Sequence, residues 1–473
     1  MGFLAMPMKR TSLAFAAALA LAVSGCMRPA ADQVAAGRMT LPSIGAVDIY
    51  RPAGALRGVA LFMAPHDRAS GAYRKAAASV ASEGFAIAVL PTEAIMGALP
   101  ARAPCINPNR ALGGAVQAFE HGLGLNRYAR PVLIGYRSGA ALAYASFVQA
   151  PRGVYGGAIS IDFNPETGGA KNWCAGKGHL AAVRTGDAAR PGWRLLPVSR
   201  LSGWTALDPV GGGGSAAAAR FVSAVPGARS VGYARGGGGI GDAAPALVGL
   251  MASMRAPKAL DHVDRSAALG DLPLSSVFDP HAPRTDTMAV MYSGDGGWVG
   301  FDHQIAADIA SRGIPVVGVS TRDYFWTRKA PATASRDLER IIRHYGGIWG
   351  RKRVLLIGYS FGADTLPFMV NRLPQSLKAA ISRISLLGLA KGADFEFHLS
   401  SWFNVERGDA VPTVPEIGRL GDLPVQCIRG ADESDSACPA VTAPVTQAIL
   451  PGGHHFDSNA GLIARTVLAG IRR

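Results

Sequence analysis

Arg353-Val354-Leu355-Leu356-Ile357-Gly358-Tyr359-Ser360-Phe361-Gly362-Ala363 is the stretch that decides how this chain folds. An apolar β-type run leads straight into Gly-x-Ser-x-Gly, and Ala363-Asp364-Thr365-Leu366 then opens a helical pattern. A strand that turns sharply into a helix at a serine needs small neighbours, because the turn holds that serine in a strained backbone conformation. The serine Oγ then stands near a helix N-terminus, whose amides favour developing negative charge. The five-residue pattern alone is weak in a chain with 59 glycines. Its strand and helix neighbours give it weight.

The same frame occurs twice. Residues 131–141 read PVLIGYRSGAA, so Gly135 stands where Gly358 stands. Ile159-Ser160-Ile161 matches Ile384-Ser385-Leu386, and Pro226-Gly227 matches Pro451-Gly452. This alignment puts Arg137 at the place of Ser360 and Arg229 at the place of His454. Arginine stays protonated and is neither nucleophile nor base, so only the second copy is armed. Each copy repeats one order: a strand (58–64 and 288–293), a helix ending in glycine (VASEG at 80–84, IASRG at 309–313), a second strand (85–90 and 314–319), a polar helix, and then the strand–turn–helix. Short apolar runs alternating with helical patterns predict mainly parallel sheets covered on both faces. The expected organisation is a leader over 1–26, a degenerate copy over 27–255, a proline-containing linker over 256–286 and a catalytic copy over 287–473.

His454 lies after the last expected strand and before the final helix, in Pro451-Gly452-Gly453-His454-His455-Phe456. Serine, acid, histidine is the chain order of an α/β-hydrolase, so the fold class expected is two tandem α/β-hydrolase-like domains. His454 is favoured over His455 as base. The acid should follow the strand at 424–429, in the loop Gly430-Ala431-Asp432-Glu433-Ser434-Asp435. Asp435 is favoured, with Asp432 and Glu433 as alternatives. The amide of Phe361 and an amide from the loop Ser293-Gly294-Asp295-Gly296-Gly297-Trp298, at Gly294 or Asp295, are the expected oxyanion donors. The glycine runs at 211–214 and 236–239 of the first copy fall near where the second has its acid and histidine loops. No cofactor or metal is expected, since no Cys-x-x-Cys or paired Cys/His spacing occurs.

The front of the chain has Lys9-Arg10, an apolar run from Leu13 to Val23 and then Val23-Ser24-Gly25-Cys26. The run is too short to span a bilayer and has the build of an export signal. Its end resembles a lipoprotein signal, with Cys26 the residue to be acylated. Setting Cys26 aside from the five cysteines leaves one pair in each copy. In an exported chain this predicts the disulfides Cys105–Cys174 and Cys427–Cys438, the second clamping the acid loop. The formal charge of +15 suits an anionic membrane surface. Nucleic acid is not expected, because the basic residues are scattered and form no run.

Ser-Gly-Asp-Gly-Gly-Trp at 293–298, the Tyr324-Phe325-Trp326 cluster, GYSFGAD at 358–364 and PGGHHFD at 451–457 together resemble the bacterial virulence protein family VirJ/AcvB, in its longer AcvB form. The resemblance implies a periplasmic serine hydrolase that releases lysine from lysyl-phosphatidylglycerol, with Ser360, His454 and an acid-loop carboxylate in the catalytic roles. It also implies a link to type IV secretion components. The lipoprotein-like end departs from the plain signal expected of that family and would tether the enzyme to a membrane. A cationic aminoacyl group calls for a carboxylate near the serine, and Asp295, Asp323 and Asp364 are the candidates. Tyr324, Phe325 and Trp326 would either meet acyl chains at the membrane surface or pack in the core. The rival readings are a carboxylesterase of other specificity and a non-catalytic binding protein that assists secretion.

Overall fold

The computed structural model describes residues 34–65, 71–210, 216–237, 239–254, 269–399, 410–442 and 444–471. The leader, Cys26, the glycine run at 211–214 and residues 255–268 lie outside the described residues. Two sheets stand at the centre. The first contains β1 (Val34–Leu41), β2 (Gly45–Pro52), β3 (Gly58–Ala64), β4 (Phe85–Pro91), β5 (Val132–Tyr136), β6 (Gly157–Ile161), β10 (Trp204–Pro209) and β11 (Arg229–Tyr233). Between β6 and β10 the chain forms a small antiparallel sheet of β7 (Glu166–Gly168), β8 (Ala182–Gly186) and β9 (Pro191–Leu195). The second large sheet contains β12 (Leu274–Val277), β13 (Thr287–Tyr292), β14 (Val316–Val319), β15 (Arg353–Tyr359), β16 (Ile381–Leu387), β19 (Val425–Gly430) and β20 (Thr446–Leu450). β17 (Gly392–Ala393) and β18 (Val411–Pro412) pair with each other outside it.

The strand orders show the duplication. The parallel part of the first sheet runs β4-β3-β5-β6-β10-β11 and that of the second β14-β13-β15-β16-β19-β20. β3, β13 and β15 are buried almost throughout, as unbroken apolar runs require when helices cover both faces. Sequence reading missed the antiparallel additions: the hairpin β1–β2 on one edge of the first sheet, and β12 on the edge of the second. β12 lies inside the segment expected to be a linker, so the boundary at 287 is corrected: Leu274–Val277 already belongs to the second sheet.

Matching backbone bonds fix the correspondence between the halves. Arg137 N–H donates to Ile161 O at 3.0 Å, and Ser360 N–H to Leu387 O at 2.8 Å. Asp162 N–H reaches Leu207 O, and Gly388 N–H reaches Ile428 O. Val210 N–H reaches Tyr233 O, and Ala431 N–H reaches Leu450 O. Counting onward, Gly237 stands at the place of His454. The match of Arg229 to His454 is therefore corrected, as is that of Ile161 to Leu386: Ile161 stands at the place of Leu387. Arg229 begins β11, whereas His454 follows β20. Pro226-Gly227 precedes a last strand that Pro451-Gly452 follows, so that similarity is accidental.

One apolar cluster runs through both halves, from Leu112, Phe119 and Tyr144 in the first to Trp326, Leu338 and Phe397 in the second. The helix Asn109–Gly122 carries much of the junction. Its His121 Nε2 lies 2.9 Å from Trp326 O, and Gln117 Nε2 donates to Phe397 O at 2.8 Å. Tyr324, Phe325 and Trp326 are all buried, with Trp326 packed against Tyr128 and His121. They form core and junction, and do not face a membrane.

Both disulfides form, Cys105–Cys174 and Cys427–Cys438. They close loops of 69 and 11 residues. Chain entropy predicts that losing the longer costs about 4 kcal/mol and the shorter about 3 kcal/mol. Urea unfolding of the Cys105→Ala/Cys174→Ala and Cys427→Ala/Cys438→Ala proteins measures both. The first pair should give the larger drop.

Candidate active site

Ser360 sits between β15 and the helix Phe361–Asn371, with φ 53° and ψ −119°. This left-handed turn is tight enough that a Cβ on Gly358 would lie 2.5 Å from Gly362 O. A Cβ on Gly362 would lie 2.4 Å from Tyr292 O. Glycine at both places is thus a packing requirement, and the turn aims the serine out of the sheet's carboxyl end.

His454 comes from the loop after β20. Its Nε2 lies 2.8 Å from Ser360 Oγ. Its Nδ1 lies 2.5 Å from Oε1 of Glu433. Glu433 is buried, and its Oε2 also accepts from Gly430 N–H at 3.1 Å. Burial alone would raise the Glu433 pKa, but the hydrogen bonds from His454 and Gly430 outweigh it and hold the carboxyl below its ordinary value. In turn the bond to Glu433 raises the His454 pKa above the ordinary 6.5, against the opposing effect of burial. A hydroxyl bonded to an imidazole whose far nitrogen is fixed by a carboxylate is the arrangement that activates a serine.

The favoured acid is corrected here. Asp435 and Asp432 are exposed, and neither reaches His454. Glu433 is the loop carboxylate that turns inward. The Cys427–Cys438 bridge spans this loop from the buried end of β19. His455 is engaged elsewhere: its Nδ1 lies 2.6 Å from the Tyr359 hydroxyl. Burial and the neighbouring His454 lower its pKa.

The loop after β13 passes close to the serine. A Cβ on Gly294 would lie 3.5 Å from Ser360 Cβ, which puts the backbone of Gly294 and Asp295 beside the nucleophile, with the amide of Phe361 next to it in the chain. The first half has Pro65 at the place of Gly294 and so lacks that amide. Arg322 holds the loop's far end: its Nη1 donates to Gly296 O at 2.9 Å, and its guanidinium lies over the Tyr128 ring of the first half at 5.4 Å. Glu120 lies buried in the same junction, pushed up to about 8 by burial, against the pull of Ala129 N–H and Arg322.

Each of the three carboxylates considered for a cationic substrate interacts within the protein. Asp364 is buried and its Oδ1 accepts from Ala390 N–H at 2.8 Å, tying the elbow helix to the chain after β16. Burial pushes its pKa up to about 8. Asp323 accepts from the Ser320 hydroxyl at 2.7 Å and from Arg322. Asp295 is half-buried in the loop beside Ser360 and contributes to the field at His454 and His455.

Gly388 is a site residue that sequence reading missed. It follows β16 with φ +63°, and a Cβ there would lie 2.8 Å from His454 Cε1 and 3.0 Å from Nδ1. The bare Cα makes the room in which His454 and Glu433 meet. Asp162 stands at this place in the first half, with φ 53°, and its side chain bonds the Tyr233 hydroxyl instead. The signal in the sequence is a lone glycine directly after a strand, which is too common to notice. Gly388→Ala should displace the imidazole and lower kcat about a hundredfold, with about 1 kcal/mol of lost stability from the left-handed backbone. Steady-state kinetics beside a melting curve would separate the two effects.

Residues 286–473 match the sequence profile described as bacterial virulence protein (VirJ). The match covers the second of the two copies. No curated protein matches the chain. Among solved structures, the chain is similar to Est1E from Butyrivibrio proteoclasticus, at 8% identity over 41% of this chain and 90% of that one, with TM-score 0.31. It is also similar to LpqC, a poly(3-hydroxybutyrate) depolymerase from Bordetella parapertussis, at 15% identity over 44% of this chain and 87% of that one, with TM-score 0.30. A third is XC6422 from Xanthomonas campestris, at 14% identity over 42% and 88%, with TM-score 0.29. The serine, histidine and glutamate described above all lie inside the matched segment.

Proposed function

We propose that the half similar to VirJ is a serine ester hydrolase whose substrate is an aminoacylated phosphatidylglycerol, with lysyl-phosphatidylglycerol as the first candidate. The observation that carries the hydrolase reading is the continuous relay from Ser360 Oγ through His454 to Glu433. Ser360 would attack the aminoacyl carbonyl while His454 takes its proton. His454 would return that proton to the lipid glycerol oxygen as the ester bond breaks. Water, activated by the same imidazole, would then release the amino acid. The amide of Phe361, with that of Gly294 or Asp295, would hold the oxyanion.

The substrate rests on the family resemblance and on charge. Asp295 supplies a carboxylate beside the serine for a cationic aminoacyl group. A net charge of +15 favours an anionic lipid surface. The export-type leader and the two disulfides support a periplasmic location, tethered through Cys26. Among the described residues no helix is long and apolar enough to cross a membrane.

Anionic vesicles containing lysyl-phosphatidylglycerol, incubated with the purified chain, provide the test. Release of free lysine and recovery of phosphatidylglycerol are expected. Preference for short-chain p-nitrophenyl esters with no lysine release would point to a general carboxylesterase. No turnover of any ester would favour a binding role in secretion.

A further inference from the structure

The first half keeps the elbow without the chemistry. Arg137 sits between β5 and the helix Ser138–Gln149 with φ 53° and ψ −111°, close to the values at Ser360. A cavity of about 680 Å³ lies at the carboxyl ends of β5, β6 and β10, closed on one side by β7. That volume is in the range of small-molecule sites, and that end of a parallel sheet is where ligands bind.

Its charges do not cancel internally. Asp162 is met by Arg235 at 3.7 Å and by the Tyr233 hydroxyl at 2.5 Å. Glu166 is met by Arg194 at 2.5 Å. Arg137 lies over the Tyr136 ring at 5.1 Å and has no carboxylate partner among the described residues. Asp208 accepts from Phe163 N–H at 3.1 Å but has no cation beside it among the described residues, and burial holds its carboxyl above the ordinary range. Glu93, on the rim, is likewise without an ion pair among the described residues. A guanidinium awaits an anion and two carboxyls await a cation. Trp173 and Leu142 flank them with apolar surface.

We propose that this vestigial site binds a small amphoteric molecule, a protonated amine joined by an aliphatic stem to a carboxylate, phosphate or ester, of the class of a basic amino acid, free or esterified. Arg137 takes the anionic or carbonyl end through its planar fork. Asp208 and Glu93 take the amine. Binding without turnover follows, because arginine replaces the nucleophile and Gly237 stands at the base position. The charges of this cavity stand apart from the reaction at Ser360. Only the choice of lysine as first probe rests on the proposed function.

Calorimetric titration of the full chain carrying Ser360→Ala tests this, since that protein binds without hydrolysing. The probes are L-lysine, lysyl-glycerophosphate, n-butylamine and inorganic phosphate. Lysine or its glycerophosphate ester should bind, and whichever binds tighter identifies the free or the esterified source. Arg137→Ala and Asp208→Asn should each weaken that binding by about tenfold or more, the scale of one charge-assisted contact. Butylamine and phosphate alone should each bind weaker than the joined molecule. Arg137→Lys, which keeps charge and bulk, should retain part of the affinity and guards against a folding defect in the alanine variant. In a Ser360 background both variants should hydrolyse p-nitrophenyl acetate at the parent rate. No binding of either amphoteric probe, binding unmoved by both substitutions, or phosphate binding as tightly as lysine would each overturn the proposal. Hydrolysis of lysyl lipid by the parent protein is measured separately, so the two readings fail independently.

Discussion

Ser360→Ala is expected to lower ester turnover by about ten-thousand- to a million-fold, leaving the fold intact. Alanine removes only the hydroxyl, and Ser360 Oγ makes its bond to His454 Nε2 at 2.8 Å without supporting any other element. Loss of the nucleophile from a serine relay leaves only binding and the oxyanion amides, and that residue of catalysis sets the size of the drop. Substituting His454 in the same protein should cost little more, because the two act as one unit. The measurement is kcat on a p-nitrophenyl ester and on lysyl lipid, beside labelling by a fluorophosphonate. Parent protein should be labelled at Ser360, and the variant should not. Arg137→Ser should create no second labelled site, since Gly237 stands where a base is needed. A Ser360→Ala protein that keeps a tenth of its activity would mean that the chemistry lies elsewhere.

Much of this site was legible because the fold repeats. Two copies of one strand–turn–helix, differing in serine against arginine, mark both the frame and the armed half. The parallel strands were readable for a simple reason. They are buried on both faces, so β3, β13 and β15 are unbroken apolar runs. Among the strands that escaped notice, β1, β2 and β12 are antiparallel additions at the sheet edges, with only part of their surface buried. β2 mixes exposed and buried residues without an unbroken apolar run, and β12 is four residues long.

The errors at the site have one cause. Position in the loop after the strand cannot say which of three neighbouring carboxylates turns inward. Asp432, Glu433 and Asp435 are close in the chain, but the N–H of Gly430 captures Oε2 of Glu433 and the longer side chain then spans to His454. Similarly, Pro226-Gly227 resembles Pro451-Gly452 in letters yet lies on the other side of its strand. Gly388 was invisible because its function is the absence of a side chain. The junction carried by Trp326, Tyr128 and Arg322 was also out of reach, since it joins residues far apart in the chain through packing alone.

Glu433→Gln should produce the second large effect, and with a distinctive pH signature. Glu433 raises the His454 pKa through its hydrogen bond and charge. The imidazole must be neutral to accept the Ser360 proton, so activity should climb as pH rises through the His454 pKa, above its ordinary 6.5. Removing the carboxylate charge lowers that pKa, so the acidic limb should move to lower pH. The plateau should nevertheless fall by about a thousand- to ten-thousand-fold, because a glutamine amide can hold the ring in the wrong tautomer. A merely structural glutamate would lower activity without moving the limb. Asp435→Asn and Asp432→Asn, at exposed positions, should leave both plateau and limb within about twofold of the parent. Profiles of kcat/KM against pH for the three variants decide the matter. If Asp435→Asn gave the deep loss and the shifted limb while Glu433→Gln stayed near the parent, the inward turn of Glu433 would have no part in catalysis.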